Sequence, residues 1–438
     1  MAGIEGLFDA IIRWFYRVFL KKQPSLKVHD FFKNFSYLAL AEIIGSVIGF
    51  PIKILVGRFL GPVEYGKYSL VINLTQFFII PMILGFSSAT LKYLPSHPEK
   101  KSQIIGMIGG LTLSTTFCSS LFFLCTHSVW THLFSISDDI FHWTIAFSIL
   151  YVLYYVFEAF QRGLARYSLL FWISILNSVV LLLIFLVLLF GFHQSTYQTF
   201  VSANIGAYAV SCIIFFLYIL RDRPRFFIEK NLTRKILEYT GWSTLGGITG
   251  FLISNTDRLF LNSFVSLYWV GVYSAYANAS TVIIGRFFQL FLNVYFPSIA
   301  KEHDKEGVIR TIRKMYKVAV IPVFLISFLS ILGIIWLFGS KFPIRLDFLL
   351  LFSVNNCLMI LYQLYMWLIN AQGNRGMRTT SRILIINSVV NLTLNYVFIQ
   401  LWGAIGVVIC TVIVNLVFIA YYRRQLLVYA KRGYFQES

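Results

Sequence analysis

Twelve long apolar segments constrain the fold of this chain more than any other feature. A helix that crosses a bilayer needs about 20 mainly apolar residues, and each segment reaches that length. The chain is 58% hydrophobic and only 13% charged, too apolar to present a soluble surface. The sequence therefore predicts an all-α integral membrane protein. The predicted spans are about 35–58, 68–91, 103–126, 140–162, 167–190, 197–220, 237–262, 270–296, 312–338, 347–370, 380–400 and 402–422.

The lysines and arginines are concentrated in every second connection between these spans. Basic residues favour the cytoplasmic side of a membrane. Most of the 37 lie in the two terminal segments and the even-numbered connections. The odd-numbered connections hold only Arg58, Lys67, Lys341 and Arg345. We therefore predict that both termini are cytoplasmic. An eleven-span count, which would merge the segments on either side of Gly403, would separate the termini, and the charge pattern does not support it.

The N-terminal segment predicts a further helix that does not cross the membrane. Apolar residues recur at helical spacing through residues 3–22, opposite Glu5, Asp9, Arg13 and Arg17. This pattern is typical of an amphipathic helix that lies on the membrane surface. A helix that binds a partner protein is the alternative. The interrupting charges and the lack of a small-residue cleavage site argue against a signal peptide.

A loop-like stretch after the first span returns, weakly, in the second half of the chain. The stretch is GRFLGPVEYGKYS, residues 57–69, and its matches lie 205 residues further on. We predict a tight external turn at Gly61-Pro62, and we expect Gly66 to let the second helix start close to the first. Six spans lie in each half, so the repeat is parallel, with its axis along the membrane normal. The matched positions are Gly45 with Gly250, Lys53 with Arg258, Phe59 with Phe264, Gly66 with Gly271, Tyr68 with Tyr273 and Ser69 with Ser274.

The repeat predicts the domain organisation. Two six-helix lobes are related by a parallel pseudo-two-fold repeat and joined by a basic linker. The predicted segments are residues 1–30 (amphipathic helix and linker), 31–220 (N-terminal lobe), 221–236 (cytoplasmic linker), 237–425 (C-terminal lobe) and 426–438 (cytoplasmic tail).

Three basic residues fall inside predicted spans: Lys53, Arg258 and Arg286. A cation in hydrocarbon is costly, so it faces protein, a cavity or a partner. If the two lobes face each other, these three side chains converge on a water-filled cleft that favours an anionic solute such as a diphosphate. The alternatives are snorkelling to the interface for Lys53 and a contact with Asp257 along the helix for Arg258.

Three acids also fall inside spans: Glu42, Asp257 and Glu158. A carboxylate in the membrane can bind a coupling ion, H⁺ or Na⁺, or it can pair with a basic neighbour for structural reasons. The sequence contains no Walker A motif, GxGxxG or GxSxG, so an ATP-driven pump and covalent catalysis lack their usual apparatus. The five cysteines and seven histidines show no metal-ligand spacing. We predict a transporter without a cofactor or metal, and not an enzyme.

These motifs resemble a known family. GRFLGPVEYGKYSL after the first span, Asp257-Arg258 with Gly271-Val272-Tyr273-Ser274, and Phe296-Pro297 before Ser298-Ile299-Ala300 are similar to those of Wzx-type oligosaccharide flippases. These flippases belong to the multidrug/oligosaccharidyl-lipid/polysaccharide exporter (MOP) superfamily.

The resemblance implies a twelve-helix, two-lobed flippase working by alternating access in a bacterial or archaeal plasma membrane. It would move a polyprenyl-diphosphate-linked oligosaccharide to the outer leaflet for a surface polysaccharide such as O-antigen. The cavity cations of the family map onto Lys53, Arg258 and Arg286. Membrane lipids, a polysaccharide polymerase and chain-length machinery are the implied partners.

Two other functions remain open. One is a drug or small-solute antiporter of the multidrug and toxin extrusion (MATE) type, for which an acidic cavity is more typical. The other is a membrane glycosyltransferase or polymerase. Such enzymes need a large external loop with catalytic acids or arginines. The longest external connection here, near residues 127–141, has no lysine or arginine.

Overall fold

Helices make up the fold of this chain. The computed structural model describes residues 26–225, 229–301 and 305–431, and no strand occurs among them. The all-α prediction is confirmed, as expected in a bilayer, where a helix satisfies its own backbone hydrogen bonds. The α-helices are α1 (Leu26–Ile83), α2 (Phe86–Ser96), α3 (Lys101–Cys125), α4 (His127–Phe134), α5 (Asp138–Gly163), α6 (Tyr167–Leu186), α7 (Tyr197–Leu220), α8 (Lys230–Phe264), α9 (Leu267–Ser280), α10 (Arg286–Lys301), α11 (Lys305–Phe338), α12 (Leu346–Asn370), α13 (Gly373–Trp402) and α14 (Ala404–Lys431).

The long helices define a multi-pass membrane protein. Within the described ranges, nine helices are long and apolar enough to cross a membrane. The predicted seventh span falls on α8, and the eighth falls on α9 and α10, which are joined by a π-helical turn, Thr281–Gly285. The count of twelve spans stays a prediction. The predicted amphipathic helix at residues 3–22 lies outside the described residues.

The predicted turn between the first two spans is a single-residue break. Gly61 has φ 79° and ψ 176°, which lies outside the helical region, and α1 is helical on both sides of it. A positive φ of this kind is accessible to glycine at little cost. The sequence placed the start of the second span about six residues too late, because it assigned the polar residues after Pro62 to a loop.

The last two predicted spans are separate helices. α13 ends at Trp402 and α14 begins at Ala404, so Gly403 alone separates them, with φ 59°. The third connection contains α4, a short helix that the sequence did not predict.

Contacts divide the chain into two compact units, each built from separate stretches. The first contains the chain up to Lys53, Phe78–His127 and His142–Leu245; the second contains Ile54–Phe77, Ser128–Phe141 and Gly246–Ser438. The predicted lobe boundaries, 31–220 and 237–425, stay a prediction.

In the first unit, a buried acid gathers three connections that we predict to be cytoplasmic. The side chain of Asp222 is 3% exposed, and its Oδ1 accepts hydrogen bonds from Arg166 at 2.8 Å and Lys101 at 3.4 Å. Nearby, the amide of Arg225 donates to the carbonyl of Ser102 at 3.0 Å. The start of the predicted linker is therefore fixed to the N-terminal ends of α3 and α6.

In the second unit, the two glycines matched by the repeat contact each other. A Cβ on Gly66 would lie 2.2 Å from the carbonyl oxygen of Leu267, and one on Gly271 would lie 1.8 Å from that of Pro62. Glycine allows helices in a membrane to approach this closely. The close approach at Gly66 is to α9, which α1 crosses at this point, and the predicted role of Gly66 in starting the second helix close to the first stays a prediction. The sequence repeat had matched these two glycines, and the repeat itself stays a prediction.

Candidate functional site

A buried polar cluster in the second unit joins α8, α9 and α13. Asp257, 7% exposed, is its centre. One carboxylate oxygen accepts a hydrogen bond from the hydroxyl of Tyr273 at 2.5 Å, and the other accepts one from the amide of Asn395 at 2.9 Å. The Asn395 amide also donates to Asn391 at 3.0 Å. The carboxylate is thus held by two neutral donors from two other helices.

Arg258, the next residue, has a different set of partners. Its Nε–H donates to Ser274 Oγ at 3.1 Å, and its guanidinium lies 5.7 Å from the centre of the Tyr273 ring. Within the described residues, the Nη1 and Nη2 groups of Arg258 make no hydrogen bond, and no ion pair joins Arg258 to Asp257. Arg258 is therefore positioned through its Nε–H. Its remaining N–H donors suit an anion that offers two oxygens side by side, as a phosphate does.

The asparagines of α13 are the part of this cluster that the sequence analysis missed. Asn387, Asn391 and Asn395 are spaced four residues apart and are at most 4% exposed. Asn387 donates to the hydroxyl of Tyr362 at 3.2 Å. Three polar residues at this spacing lie along one helix face, and they are costly in an apolar span unless they are hydrogen-bonded. That spacing was a signal from which the cluster could have been predicted.

The other two predicted cations are placed as follows. Arg286 is exposed and is the first residue of α10, directly after the π-helical turn Thr281–Gly285. Turns of this type inside helices are frequent at functional sites. Lys53 is half-buried on α1 and belongs to the first unit, whereas Arg258 and Arg286 belong to the second. Convergence of the three cations on one cleft stays a prediction.

The other predicted acids differ from Asp257. Glu158 forms an ion pair with Arg162 one turn along α5, at 2.7 Å. This contact is the structural pairing that we considered for it, and a role in ion coupling stays a prediction. Glu42 lies on α1, but its side chain is outside the described set. In the described residues, no group of three or more His, Cys, Asp or Glu residues could hold a metal ion.

Comparison with protein families identifies the chain. The profile of a family described as polysaccharide biosynthesis protein matches residues 31–303, which is more than half of the sequence. The chain belongs to this polysaccharide biosynthesis family. The matched region extends from the first predicted span through α8, α9 and α10, so it includes Asp257, Arg258 and Arg286.

A curated relative is similar to part of the chain. The chain is 27% identical, over 201 residues, to a Haloferax volcanii protein described as a probable low-salt glycan biosynthesis flippase, Agl15. The match covers 43% of this chain and 42% of that relative, so it spans less than half of either protein.

Solved structures show the same fold. An inward-facing MATE family transporter of the MOP superfamily is 15% identical, with a TM-score of 0.67 over 88% of this chain and 96% of that one. An outward-facing MATE transporter of that superfamily is 14% identical, with a TM-score of 0.57 over 90% and 96%. A mutant of the Vibrio cholerae MATE transporter VcmN is 15% identical, with a TM-score of 0.57 over 90% and 96%. At these identities the structures show the fold alone; the resemblance predicted from the sequence is confirmed by the family match over residues 31–303 and by the similarity to the Haloferax volcanii protein.

Proposed function

We propose that this protein is a flippase that moves a polyprenyl-diphosphate-linked oligosaccharide from the cytoplasmic to the outer leaflet of a bacterial or archaeal plasma membrane. Membership of the polysaccharide biosynthesis family and the similarity to a glycan flippase support this proposal. The observation that carries it is Arg258, which Ser274 holds at Nε while neither Nη group has a hydrogen-bond partner among the described residues. Alternating access requires no covalent chemistry, so no catalytic residue is assigned.

The proposed substrate explains the type of charge in the site. A diphosphate brings anionic oxygens into the membrane, where a guanidinium compensates for the lost hydration through charge-assisted hydrogen bonds. Arg258 and Arg286 lie in the matched family region, and we propose both, with Lys53, as ligands of the diphosphate or glycan. Binding to membrane lipids follows from this substrate. Association with a polysaccharide polymerase and chain-length machinery is a further expectation.

Loss of the protein is expected to abolish export of the lipid-linked glycan. In a deletion strain, the wild-type chain should restore the surface polysaccharide, whereas Arg286→Ala should restore at most about one tenth of it, the loss expected for one charge-assisted contact. The measurement is surface polysaccharide by immunoblot, with the membrane level of the variant as a control for folding. Normal surface polysaccharide in the deletion strain would contradict the proposed function.

A MATE-type antiporter is the second candidate, because the fold is that of MATE transporters and Asp257 is a buried carboxylate. The same deletion strain separates the two functions. A flippase mutant loses its glycan and keeps its drug susceptibility, whereas an antiporter mutant becomes more susceptible to drugs and keeps its glycan.

Asp257 is our candidate for the residue that couples transport to H⁺ or Na⁺. Asp257→Asn preserves the size of the side chain and one of its two hydrogen bonds but removes the charge, so we expect export to fall at least about tenfold. Glu158→Gln, which neutralises an acid that already has an arginine partner, should retain most of the export. Both variants should be assayed for glycan export across pH and sodium concentration. Wild-type export by Asp257→Asn would restrict Asp257 to a structural role.

A further inference from the structure

A second basic site lies at the membrane face that we predict to be external. A cavity of about 360 Å³ is lined by Arg58, by residues at the end of α11 and by the turn that follows it. Arg58 belongs to the stretch at residues 57–69 that recurs in the second half of the chain, and it lies three residues before the break at Gly61. The proposed function assigns no role to this cavity or to Arg58.

One residue that lines this external cavity, Phe342, is held in place by aromatic packing. The rings of Phe338 and Phe342, at most 2% exposed, are 4.9 Å apart, and Tyr65 packs edge-on against them at 5.6 Å and 5.9 Å. Gly339 has φ 90°, and a Cβ on it would lie 3.6 Å from Arg58 Cγ. The side chain of Arg58 therefore lies directly against Gly339.

Arg58 differs from the other three cations of the odd-numbered connections. Lys67 pairs with Glu64 at 2.6 Å, and Arg345 donates from Nε to Asp347 at 3.0 Å. Lys341 donates to the carbonyl of Phe59 at 3.1 Å. The guanidinium of Arg58 has no acceptor in the described parts of the chain, although it carries five N–H donors.

The rim of the external cavity is apolar. Trp336 is 69% exposed, Leu337 is 42% exposed and Ile344 is 51% exposed, and all three line the cavity with Arg58. Tryptophan and aliphatic side chains at a membrane face contact lipid chains. A cation enclosed by such a rim suits an anion that carries a hydrocarbon chain, since a free phosphate would gain nothing from the rim.

We propose that this cavity binds the phosphate end of an isoprenoid lipid at the external face, with Arg58 as its main cationic ligand. Lys341 places a second positive charge beside it, because it is anchored to the residue that follows Arg58. The external location and the isoprenoid class rest on the proposed function. In the transport cycle of the proposed flippase, the site would hold the phosphate end of the lipid carrier after translocation. This site is separate from Arg258 and Arg286.

The test is protection of a cysteine placed in the cavity. The exposed Cys118 and Cys125 are first replaced by serine, and Ser340, which lines the cavity, is replaced by cysteine. The new cysteine is then labelled in intact cells with a membrane-impermeant maleimide. Farnesyl diphosphate is added as the probe, with farnesol, inorganic pyrophosphate and dioleoylphosphatidylglycerol in parallel. We expect labelling from outside and protection by farnesyl diphosphate at concentrations at which the other three protect little.

Substitutions identify the residue responsible. With Arg58→Gln, protection should require roughly tenfold more farnesyl diphosphate, because one charge-assisted contact is lost. Arg58→Lys should be intermediate, because lysine preserves the charge without the planar fork. Lys67→Gln removes a paired cation from the same face. In this variant, the cysteine at position 340 should be protected by the same concentration of farnesyl diphosphate as in the parent.

Besides a complete absence of protection, three results would overturn the proposal. They are equal protection of the Arg58→Gln variant, equal protection by inorganic pyrophosphate, and equal protection by phosphatidylglycerol, which would indicate a bulk lipid. The proposed function fails separately, through normal glycan export in the deletion strain. Loss of export in that strain without any protection at position 340 would remove only this site.

Discussion

Gly271→Ala is expected to prevent α1 and α9 from packing as they do. The new methyl group would lie 1.8 Å from the carbonyl oxygen of Pro62, a backbone atom that no side-chain rotation can move. Overpacking a tight interior costs about 1–3 kcal/mol, and a backbone obstacle puts this site at the upper end. The thermal midpoint of the detergent-purified protein, followed by size-exclusion fluorescence, should fall by about 3 °C.

The chain offers a matched control for this substitution. Gly250, on α8, has no atom within 4 Å of the position of a Cβ, so Gly250→Ala should leave the thermal midpoint unchanged or raise it slightly. Gly66→Ala should resemble Gly271→Ala, since its Cβ would lie 2.2 Å from the Leu267 carbonyl. The two substitutions open the same crossing, so the double variant should lose less than the sum of the single losses. A Gly271→Ala protein with the parent midpoint would show that the helices do not cross there.

Arg258→Gln is expected to reduce glycan export by roughly 10- to 100-fold. Glutamine can still contact Ser274, but it removes the charge and the paired Nη donors that face no partner within the described residues. A hydrogen bond to a charged group contributes about 1.5–3 kcal/mol, which corresponds to that range of rates. The export rate of Arg258→Lys should lie between those of the parent and Arg258→Gln, because lysine keeps the charge but lacks the planar geometry of the guanidinium.

The control for Arg258 lies on the same helix. Arg234 is exposed near the start of α8, at the predicted cytoplasmic end, so Arg234→Gln should export glycan like the parent. Ser274→Ala removes the partner of Nε and preserves the charge, so a loss of a few fold is expected. If Arg258→Gln and Arg234→Gln export equally well, Arg258 is not a ligand of the substrate.

The sequence predicted the helices well because the bilayer imposes a simple rule on composition. Long apolar runs became helices, and Gly403 separated α13 from α14 as the charge pattern required. Polar residues misled the prediction where they continue a helix, as they do between Gly61 and Tyr68. Hydropathy measures only whether a segment tolerates lipid, so it did not show that these residues pack against another helix.

The candidate site could be predicted only in part. An ionisable residue in an apolar span is visible from the sequence, and this rule identified Asp257 and Arg258. Their partners, Tyr273, Ser274 and Asn395, are common residues whose role depends on which helices touch. The contact between Gly66 and Gly271 was equally hidden, although the repeat had matched these two glycines. Repeats show which positions are equivalent, and only the fold shows that they meet.

The most direct test of the proposed function is flipping in proteoliposomes. Purified protein is reconstituted with a fluorescent polyprenyl-diphosphate-linked oligosaccharide, and the fraction that becomes accessible to a membrane-impermeant glycosidase is followed over time. We predict that the wild-type and Arg234→Gln proteins expose the lipid from the inner leaflet, and that Arg258→Gln does so at least about tenfold more slowly. Equal rates in wild-type and protein-free vesicles would contradict the proposed function.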